Sequence, residues 1–255
     1  MRWLPNIITL GALITGLIAV GMVLSHHWHL AVFTMFIAML LDATDGLVAR
    51  LLSVSSKFGA TLDSLSDFLN FGIVPTGVLY MWVLQEIGMF GCLAAITFST
   101  ACAIRLARFN ALSEINKPSW HHSFFTGLPS PAGAFTVLLP FYLHNIMHFP
   151  LNEVVASAIA VYIIFIALLM VSTIPVFAIN KIDSSGRITA ILALITLPIL
   201  IATATNYPFH FLVVLVVFYM LICIPVGYTS FQQFSKRDTN QRSNKSITAI
   251  NTYKQ

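Results

Sequence analysis

Long hydrophobic runs alternate with short polar segments along most of this 255-residue chain. Each run is close to the roughly 20 residues that an α-helix needs to cross the hydrocarbon core of a bilayer. The pattern therefore predicts an all-α, polytopic integral membrane bundle of about eight transmembrane helices. The helices are expected at about 6–24, 29–50, 59–84, 88–110, 129–147, 152–178, 187–204 and 208–230.

The basic residues predict how this bundle lies in the membrane. The loops after odd-numbered helices contain no Lys or Arg. All 13 fall on the other side of the bundle: at the N-terminus, in or next to the loops after even-numbered helices, or in the polar segment 231–255. Because short loops rich in Lys and Arg remain on the cytoplasmic side, both termini are expected to be cytoplasmic.

Composition excludes the soluble classes of protein. Hydrophobic residues make up 58% of the chain and charged residues only 9%, whereas an average soluble domain has about 25% charged residues. A soluble globule needs more polar surface than this, and a disordered chain needs far more. Any chemistry must therefore take place inside the helix bundle or at its edge.

Four of the nine acidic residues lie in one short stretch of the second and third predicted helices: Asp42, Asp45, Asp63 and Asp67. Ionisable groups inside a spanning helix cost so much free energy that each one suggests a function. Spacings of three and four residues place the members of each pair on one face of their helix. The hairpin between the two helices then brings both pairs to similar depths in the membrane.

These carboxylates predict a metal site. Four of them cannot all stay ionised in a dry site unless protons or cations neutralise them. Carboxylate oxygens suit hard ions such as Mg²⁺, Mn²⁺ or Ca²⁺, and four charges match two such ions, a device known from in-line phosphoryl displacement. A divalent-cation or proton transporter is the alternative from another class, although its sites usually lie between inverted repeats.

Small and basic residues between the acidic pairs fit a ligand that carries phosphate. Gly46 and Gly59 have no side chain, so a bulky ligand can approach the backbone there, and Ala49 keeps the same face of the second helix open. Arg50 and Lys57 place cations at the mouth of the hairpin, where a phosphate would be paired.

Read with its spacing, the stretch 42–67 is D-x2-D-G-x2-A-R-x8-G-x3-D-x3-D. This pattern resembles the signature of the CDP-alcohol phosphatidyltransferases, and P-N-x-x-T at 5–9 is also similar to the family pattern. Two further stretches, AIRLARFN at 103–110 and FTGLPSPAGA at 125–134, resemble one branch of that family, the bacterial CDP-diacylglycerol–serine O-phosphatidyltransferases.

The resemblance implies a reaction and roles for the motif residues. A phosphatidyl group would pass from CDP-diacylglycerol to the hydroxyl of L-serine, giving phosphatidylserine and CMP. The metal ligands would be Asp42, Asp45, Asp63 and Asp67, with Asp67 also acting as the general base. The motif positions that would bind CDP are Gly46, Ala49, Arg50 and Gly59, and Asn6 and Thr9 would line the nucleotide site. Lys57, at the mouth of the hairpin, completes the expected CDP-binding set.

Serine recognition is expected from the two stretches that resemble the serine branch. A free amino acid presents a carboxylate, which arginine binds well, and an ammonium, which needs oxygen acceptors. Arg105 and Arg108 are three residues apart and can face one ligand. The expected set is Arg105, Arg108, Asn110, Thr126 and Ser130. Charge alone does not decide the acceptor, so glycerol 3-phosphate, inositol phosphate and choline stay open as alternatives.

The resemblance also bears on organisation. Residues 1–230 are interpreted as one membrane domain, with a six-helix catalytic core at about 1–180 and two extra helices at about 187–230. The polar basic segment 231–255 has no apolar period and is expected to be disordered. The family further implies a homodimer in the bacterial cytoplasmic membrane, with membrane lipid as a partner, no nucleic acid, and the active site facing the cytoplasm.

Overall fold

The computed structural model describes residues 3–52, 56–113, 124–172, 175–177 and 206–223, and most of these are helical. The helices are α1 (Leu4–Leu24), α2 (Trp28–Leu51), α3 (Lys57–Asp67), α4 (Val74–Trp82), α5 (Gly88–Ser113), α6 (Ser130–Val137), α7 (Leu139–Met147), α8 (Glu153–Val171) and α9 (Pro208–Phe218). A π-helical turn joins α3 to α4, a 3₁₀ turn precedes α5, and a second π-helical segment follows α9: Phe68–Ile73, Leu84–Ile87 and Tyr219–Cys223.

Four helical stretches in the described part of the chain are long and apolar enough to cross a membrane: Leu4–Leu24, Trp28–Ala49, Leu84–Ala111 and Glu153–Val171. Large apolar side chains such as Leu17, Phe33 and Leu93 are exposed on them, as lipid-facing surfaces require. The predicted helical membrane class is therefore confirmed. The count of eight spans and the side of the termini stay predictions, because 187–204 and 231–255 lie outside the described residues.

The prediction of one helix over 129–147 is wrong. The structure divides this segment into α6 and α7 at Leu138, whose φ of −79° and ψ of −1° depart from helical values. Pro140 explains the break, because proline has no backbone N–H and its ring collides with the preceding turn.

The prediction of a helix over 152–178 is also wrong at its C-terminal end. α8 stops at Val171, and strand β2 (Pro175–Phe177) pairs antiparallel with strand β1 (Phe124–Thr126). Pro175 cannot continue a helix and disfavours the helical conformation in the residue before it. No strand was expected from the sequence at either place.

The turn after β1 packs the start of α6 against the end of α8. Gly127 has a φ of +76°, which a residue with a side chain rarely adopts. A Cβ at Gly127 would lie 2.5 Å from the carbonyl oxygen of Met170, and the next amide, Leu128 N–H, donates to the carbonyl of Leu169 at 3.3 Å. Only glycine permits this close approach, which fixes where α6 begins.

The helix expected over 59–84 begins at Lys57 and ends at Trp82, with the π-helical turn within it. This turn starts at the residue after Asp67 and carries Asn70, which is fully buried. The Asn70 Nδ2 donates to the carbonyl of Ala12 at 3.4 Å, so it ties the turn to α1. The observed ends lie about two residues from the approximate predicted ones, and the internal π turn was not predicted.

Helix α1 packs along α2 and also against α3, while α5 packs along α8. The central core consists of large apolar side chains that are almost fully buried; they include Met35, Phe71, Phe98, Phe141 and Ile163. The helices α1, α2 and α3 therefore form three walls of one space at the end of the bundle where α2 ends and α3 begins.

Candidate active site

A cavity of about 320 Å³ lies between α1, α2 and α3. It is lined by Pro5, Asn6, Thr9, Asp42, Asp45, Gly46, Ala49, Ser56, Gly59, Ala60 and Asp63. The lining contains three of the four predicted metal ligands and five of the seven predicted CDP-binding residues. The structure therefore brings residues from three helices together around one space, as the spacing of the motif requires.

The four aspartates form one cluster. Asp42, Asp45 and Asp63 can each present an oxygen within 4.8 Å of the others. Asp67 lies one helical turn beyond Asp63 on α3, within hydrogen-bonding reach of the Asp42 carboxylate. The Oδ1 atoms of Asp42 and Asp67 are buried and have no hydrogen-bond partner among the described residues. Negative charges on carboxylates this close together repel one another.

The arrangement fits a hard divalent cation. Buried carboxylate oxygens without protein partners are costly unless a positive charge neutralises them. Three carboxylates converging within one ligand shell supply the all-oxygen coordination that Mg²⁺, Mn²⁺ and Ca²⁺ prefer. Asp42, Asp45 and Asp63 are thus the residues that could hold an ion, and Asp67 stands beside them.

Thr9 orients one of these carboxylates. Its hydroxyl donates to Oδ2 of Asp45, and both side chains are buried, with 3% and 5% of their surface exposed. This hydrogen bond holds the Asp45 carboxylate beside Asp42 and Asp63. Thr9 was predicted to line the nucleotide site, and it does line the cavity.

The two motif glycines make room in different ways. A Cβ at Gly46 would meet no atom within 4 Å, whereas a Cβ at Gly59 would lie 2.7 Å from Oδ1 of Asn6. Gly46 lies on the helix face that also carries Asp42 and Ala49, so its open side faces the cavity. Gly59 instead allows α1 and α3 to approach each other.

The start of α3 was only partly anticipated. Ser56 caps this helix, because its Oγ accepts a hydrogen bond from the Gly59 amide at 2.9 Å. Ser56 and Ala60 line the cavity but were not among the predicted residues. A serine three residues before the motif glycine is the usual sign of a helix N-cap and could have identified Ser56.

The two predicted cations, Arg50 and Lys57, each directly follow in sequence a residue that lines the cavity. Lys57 is the first residue of α3 and is exposed. Arg50 lies near the end of α2, and its side chain is outside the described part of the structure. Lys57 is not among the residues that line the cavity.

Arg105 connects the aspartate cluster to α6. Its Nη1 donates to Oγ of Ser130 at 2.5 Å, and its positive charge lies close enough to Asp67 for the two to attract. Ser130 is fully buried at the start of α6. Two of the five predicted serine-binding residues therefore contact each other, and one of them, Arg105, lies near Asp67.

The other three predicted serine-binding residues have different neighbours. Arg108 donates from Nη1 to the carbonyl of Val171 at 2.7 Å, which caps the last turn of α8. Asn110 donates from Nδ2 to Oγ of Ser64 at 2.8 Å, linking α5 to α3. Thr126 lies in β1 opposite Pro175, and its side chain is outside the described part of the structure.

Comparison with known proteins gives a match to a family and to several relatives. Residues 2–172 match the family described as CDP-alcohol phosphatidyltransferase. The chain is similar to proteins named CDP-diacylglycerol–serine O-phosphatidyltransferase from three bacteria. Identity is 37% over 139 residues with that of Mycobacterium tuberculosis, covering 54% of this chain and 48% of the relative. It is 35% over 170 residues with that of Helicobacter pylori, covering 67% and 70%.

The third relative, from Bacillus subtilis, is 36% identical over 148 residues, which cover 58% of this chain and 80% of the relative. The match thus spans about half the length of the mycobacterial relatives and most of the length of the others. The family match includes the aspartate motif and the residues around Arg105.

Proposed function

The chain belongs to the CDP-alcohol phosphatidyltransferase family, and we propose that it transfers the phosphatidyl group of CDP-diacylglycerol to the hydroxyl of L-serine. The products would be phosphatidylserine and CMP. The observation that carries this proposal is the convergence of the aspartates of α2 and α3 on one cavity with an open glycine face. The names of the relatives support serine as the acceptor.

The proposed cofactor is a pair of divalent ions, Mg²⁺ or Mn²⁺, with Ca²⁺ as a further candidate. Asp42, Asp45 and Asp63 would hold the first ion, and Asp67 would share in holding the second. Bound there, the ions would supply positive charge for the phosphate oxygens on which negative charge develops during displacement. The buried carboxylate oxygens without partners support this assignment.

The cavity is proposed to bind the CDP group. Gly46 and Ala49 would form its open wall on α2, while Asn6, Thr9 and Gly59 would form the walls on α1 and α3. A nucleotide diphosphate is bulky and needs close approach to the backbone, which these small residues allow. Arg50 and Lys57 would pair with the diphosphate at the mouth of the cavity.

Asp67 is proposed as the general base. A serine hydroxyl is a weak nucleophile at neutral pH, so a nearby group must accept its proton as it attacks the β-phosphorus. Asp67 lies at the edge of the carboxylate cluster, on the side that faces Arg105. It would take the proton of the hydroxyl while CMP leaves from the opposite side of the phosphorus.

Arg105 and Ser130 are proposed to bind the acceptor beside this base. The Arg105 guanidinium would pair with the carboxylate of serine, because planar arginine and carboxylate groups form strong hydrogen bonds. The attraction of Arg105 to Asp67 and its hydrogen bond to Ser130 support this assignment. The contacts of Arg108, Asn110 and Thr126 support a role in the acceptor site less directly. Those three residues remain proposed members of the acceptor site.

The proposed setting is the bacterial cytoplasmic membrane. We propose eight spanning helices with both termini in the cytoplasm, a homodimer, and an active site that opens to the cytoplasm. Four apolar helices of spanning length support a membrane location. The lipid substrate would then keep its acyl chains in the bilayer while serine and CMP exchange with the cytoplasm.

Filling the open face of Gly46 is expected to weaken binding of the CDP-lipid. Leucine at position 46 would project into the cavity, since no atom lies within 4 Å of the new Cβ. We expect Gly46→Leu to raise KM for CDP-diacylglycerol at least tenfold, an effect of about 1.4 kcal/mol. The unfolding temperature should not fall, because leucine favours helix more than glycine does.

Gly21→Leu is the matched control for this experiment. Gly21 also lies in a helix, is exposed, and has open space around its Cβ position, but it lies outside the cavity lining. Its KM for CDP-diacylglycerol should stay within about twofold of the wild-type value, which is the usual range for a surface change of about 0.5 kcal/mol or less. Equal effects at both positions would contradict the placement of the CDP group.

The acceptor is tested by measuring CMP release from the purified protein with CDP-diacylglycerol and Mn²⁺ or Mg²⁺. L-serine, glycerol 3-phosphate, inositol phosphate and choline are supplied separately. We expect release with serine alone, and loss of that release in EDTA. Release with another acceptor alone would keep the proposed metal and CDP sites but overturn the assignment of serine.

A further inference from the structure

Asn70 is a fully buried polar side chain that lies three residues after Asp67, inside the π-helical turn. Burial of an amide costs free energy unless hydrogen bonds compensate for it. The Asn70 Nδ2 donates to the carbonyl of Ala12 at 3.4 Å and to Oγ of Ser66 at 3.2 Å. Ser66 is also fully buried and directly precedes Asp67. Asn70 therefore joins the segment on both sides of Asp67 to α1.

Helix α1 leaves room for the other end of this amide. A Cβ at Gly16 would overlap with Oδ1 of Asn70 and would lie 3.1 Å from its Cγ, so a side chain at position 16 would push the amide away. The Oδ1 atom has no conventional hydrogen-bond partner among the described residues, and a glycine Cα–H can make a weak hydrogen bond to such an oxygen. Ala12 and Gly16 are four residues apart and share one face of α1.

The same face of α1 also contacts the other helix of the aspartate cluster. Thr9, Ala12 and Gly16 are all buried and follow the spacing of one helix face. Thr9 donates to the Asp45 carboxylate on α2, whereas Ala12 accepts from Asn70 after α3. One rigid helix thus contacts both halves of the cluster.

The backbone changes its hydrogen-bond pattern directly after Asp67. The π-helical turn spans Phe68–Ile73, and the Val74 N–H donates to the carbonyl of Leu69 at its end. Such turns are rare, occur often at functional sites, and insert an extra residue into a helical turn. A regular α-helix through this point would rotate α3 about its axis relative to α4. The direction of Asp67 therefore depends on a contact that holds the turn in its π-helical form.

We propose that Asn70 is a positioning residue for Asp67. By joining the π-helical turn to Ala12 and Gly16 of α1, it holds the Asp67 carboxylate where it meets Asp42 and the proposed ions. This inference rests on the proposed function, because it takes Asp67 as the general base and as a ligand of the second ion. Asn70 itself contacts neither the substrates nor the ions.

Asn70→Ala removes the amide and tests this role. We expect kcat for CMP release to fall about a hundredfold, the loss that a misplacement of about 1 Å causes at a reacting centre. KM for CDP-diacylglycerol should stay within about twofold, because neither Asn70 nor Asp67 lines the cavity. The Mn²⁺ concentration that gives half of the metal-induced rise in unfolding temperature should increase about tenfold. A residue that only stabilises the bundle would lower the unfolding temperature and leave kcat and this concentration unchanged.

Asn145→Ala is the matched control. Oδ1 of Asn145 lies 2.7 Å from Nε2 of His29, so this variant also removes an asparagine that links two helices, α7 and α2. His29 lies about 20 Å along α2 from Asp42 by the helical rise. The kcat and the Mn²⁺ requirement of Asn145→Ala should be those of the wild type. Equal losses in Asn145→Ala and Asn70→Ala would show a general loosening of the bundle and overturn the proposal.

Gly16→Ala tests the same contact from α1 and leaves the amide in place. Its new Cβ would displace Asn70, so kcat should fall at least about tenfold. Gly21→Ala, on the same helix but with open space at the Cβ position, should keep the wild-type kcat. Adding Gly16→Ala to Asn70→Ala should change kcat less than about twofold, because the displaced group is already gone. A wild-type kcat in Gly16→Ala, or a further fall of about tenfold in the double variant, would overturn the proposal.

The Asp67→Asn background decides whether Asn70 acts through Asp67. Adding Asn70→Ala to it should change kcat less than about twofold, and a further hundredfold fall would overturn the proposal. Wild-type protein that uses a different acceptor contradicts only the assignment of serine, and kcat with that acceptor then decides the role of Asn70. Absence of CMP release with every acceptor contradicts the proposed function, and the Mn²⁺ dependence of the unfolding temperature then decides the role of Asn70 by itself.

Discussion

Asp67→Asn is expected to lower kcat for CMP release about a thousandfold, the middle of the range for loss of a general base. Asparagine has nearly the same volume as aspartate, but its side chain cannot accept the proton of the attacking hydroxyl. KM for CDP-diacylglycerol should change little, because Asp67 is not part of the cavity lining. Steady-state rates at saturating serine and lipid, with the metal present, give this comparison directly.

The control for Asp67→Asn is Glu153→Gln, which removes an exposed negative charge at the start of α8. Its rate should equal that of the wild type. Unfolding temperatures of both variants show whether either loses its fold. A folded Asp67→Asn protein with more than about a tenth of the wild-type kcat, a loss below the range for a general base, would remove Asp67 from the role of base.

Asp42→Asn is expected to unfold at a higher temperature than the wild type without metal and at a lower temperature than the wild type with metal. Asp42 lies within reach of both Asp63 and Asp67, so the wild-type protein without metal holds several carboxylates that repel one another. Removing one of them should raise the unfolding temperature in EDTA. With saturating Mn²⁺ the order should invert, because bound metal stabilises the wild type by about 2.7 kcal/mol at one hundred times its Kd.

Thermal unfolding in detergent, with EDTA and with a series of Mn²⁺ concentrations, measures this inversion. CMP release by Asp42→Asn should fall by at least a hundredfold as the ion is lost. If Mn²⁺ raised the unfolding temperature of Asp42→Asn as much as that of the wild type, the ion would have to bind elsewhere.

The aspartate cluster could be predicted because it depends on helix geometry alone. Residues three or four positions apart share a helix face, so the spacing of Asp42 with Asp45 and of Asp63 with Asp67 sets which side chains converge once α2 and α3 form a hairpin. The position of Gly46 on the face that lines the cavity follows from the same rule. The spacing could not predict that Gly59 lies against Asn6 of α1, because that contact depends on how a third helix packs.

The breaks within the helices were harder to predict from hydropathy. The runs that contain Pro140 and Pro175 are predominantly apolar, and proline divides or ends them because it has no backbone N–H and its ring collides with the preceding turn. The π-helical turn after Asp67 has no hydropathy signal, because it changes the hydrogen-bond register and not the composition. Its position depends on the buried contact between Asn70 and α1.

Contacts over long distances in sequence account for the rest. Arg108 was predicted as a ligand-binding residue from its spacing to Arg105, whereas the structure gives it a carbonyl at the end of α8 as a partner.

The most direct test of the proposed transfer follows the acceptor into the lipid. Purified protein in liposomes that contain CDP-diacylglycerol is supplied with isotope-labelled L-serine and Mn²⁺, and the lipid products are analysed by mass spectrometry. Labelled phosphatidylserine should form together with CMP, and neither product should form in EDTA or with Asp67→Asn. Labelled lipid formed at the wild-type rate by Asp67→Asn, or no labelled lipid from folded wild-type protein, would contradict transfer to serine at this aspartate site.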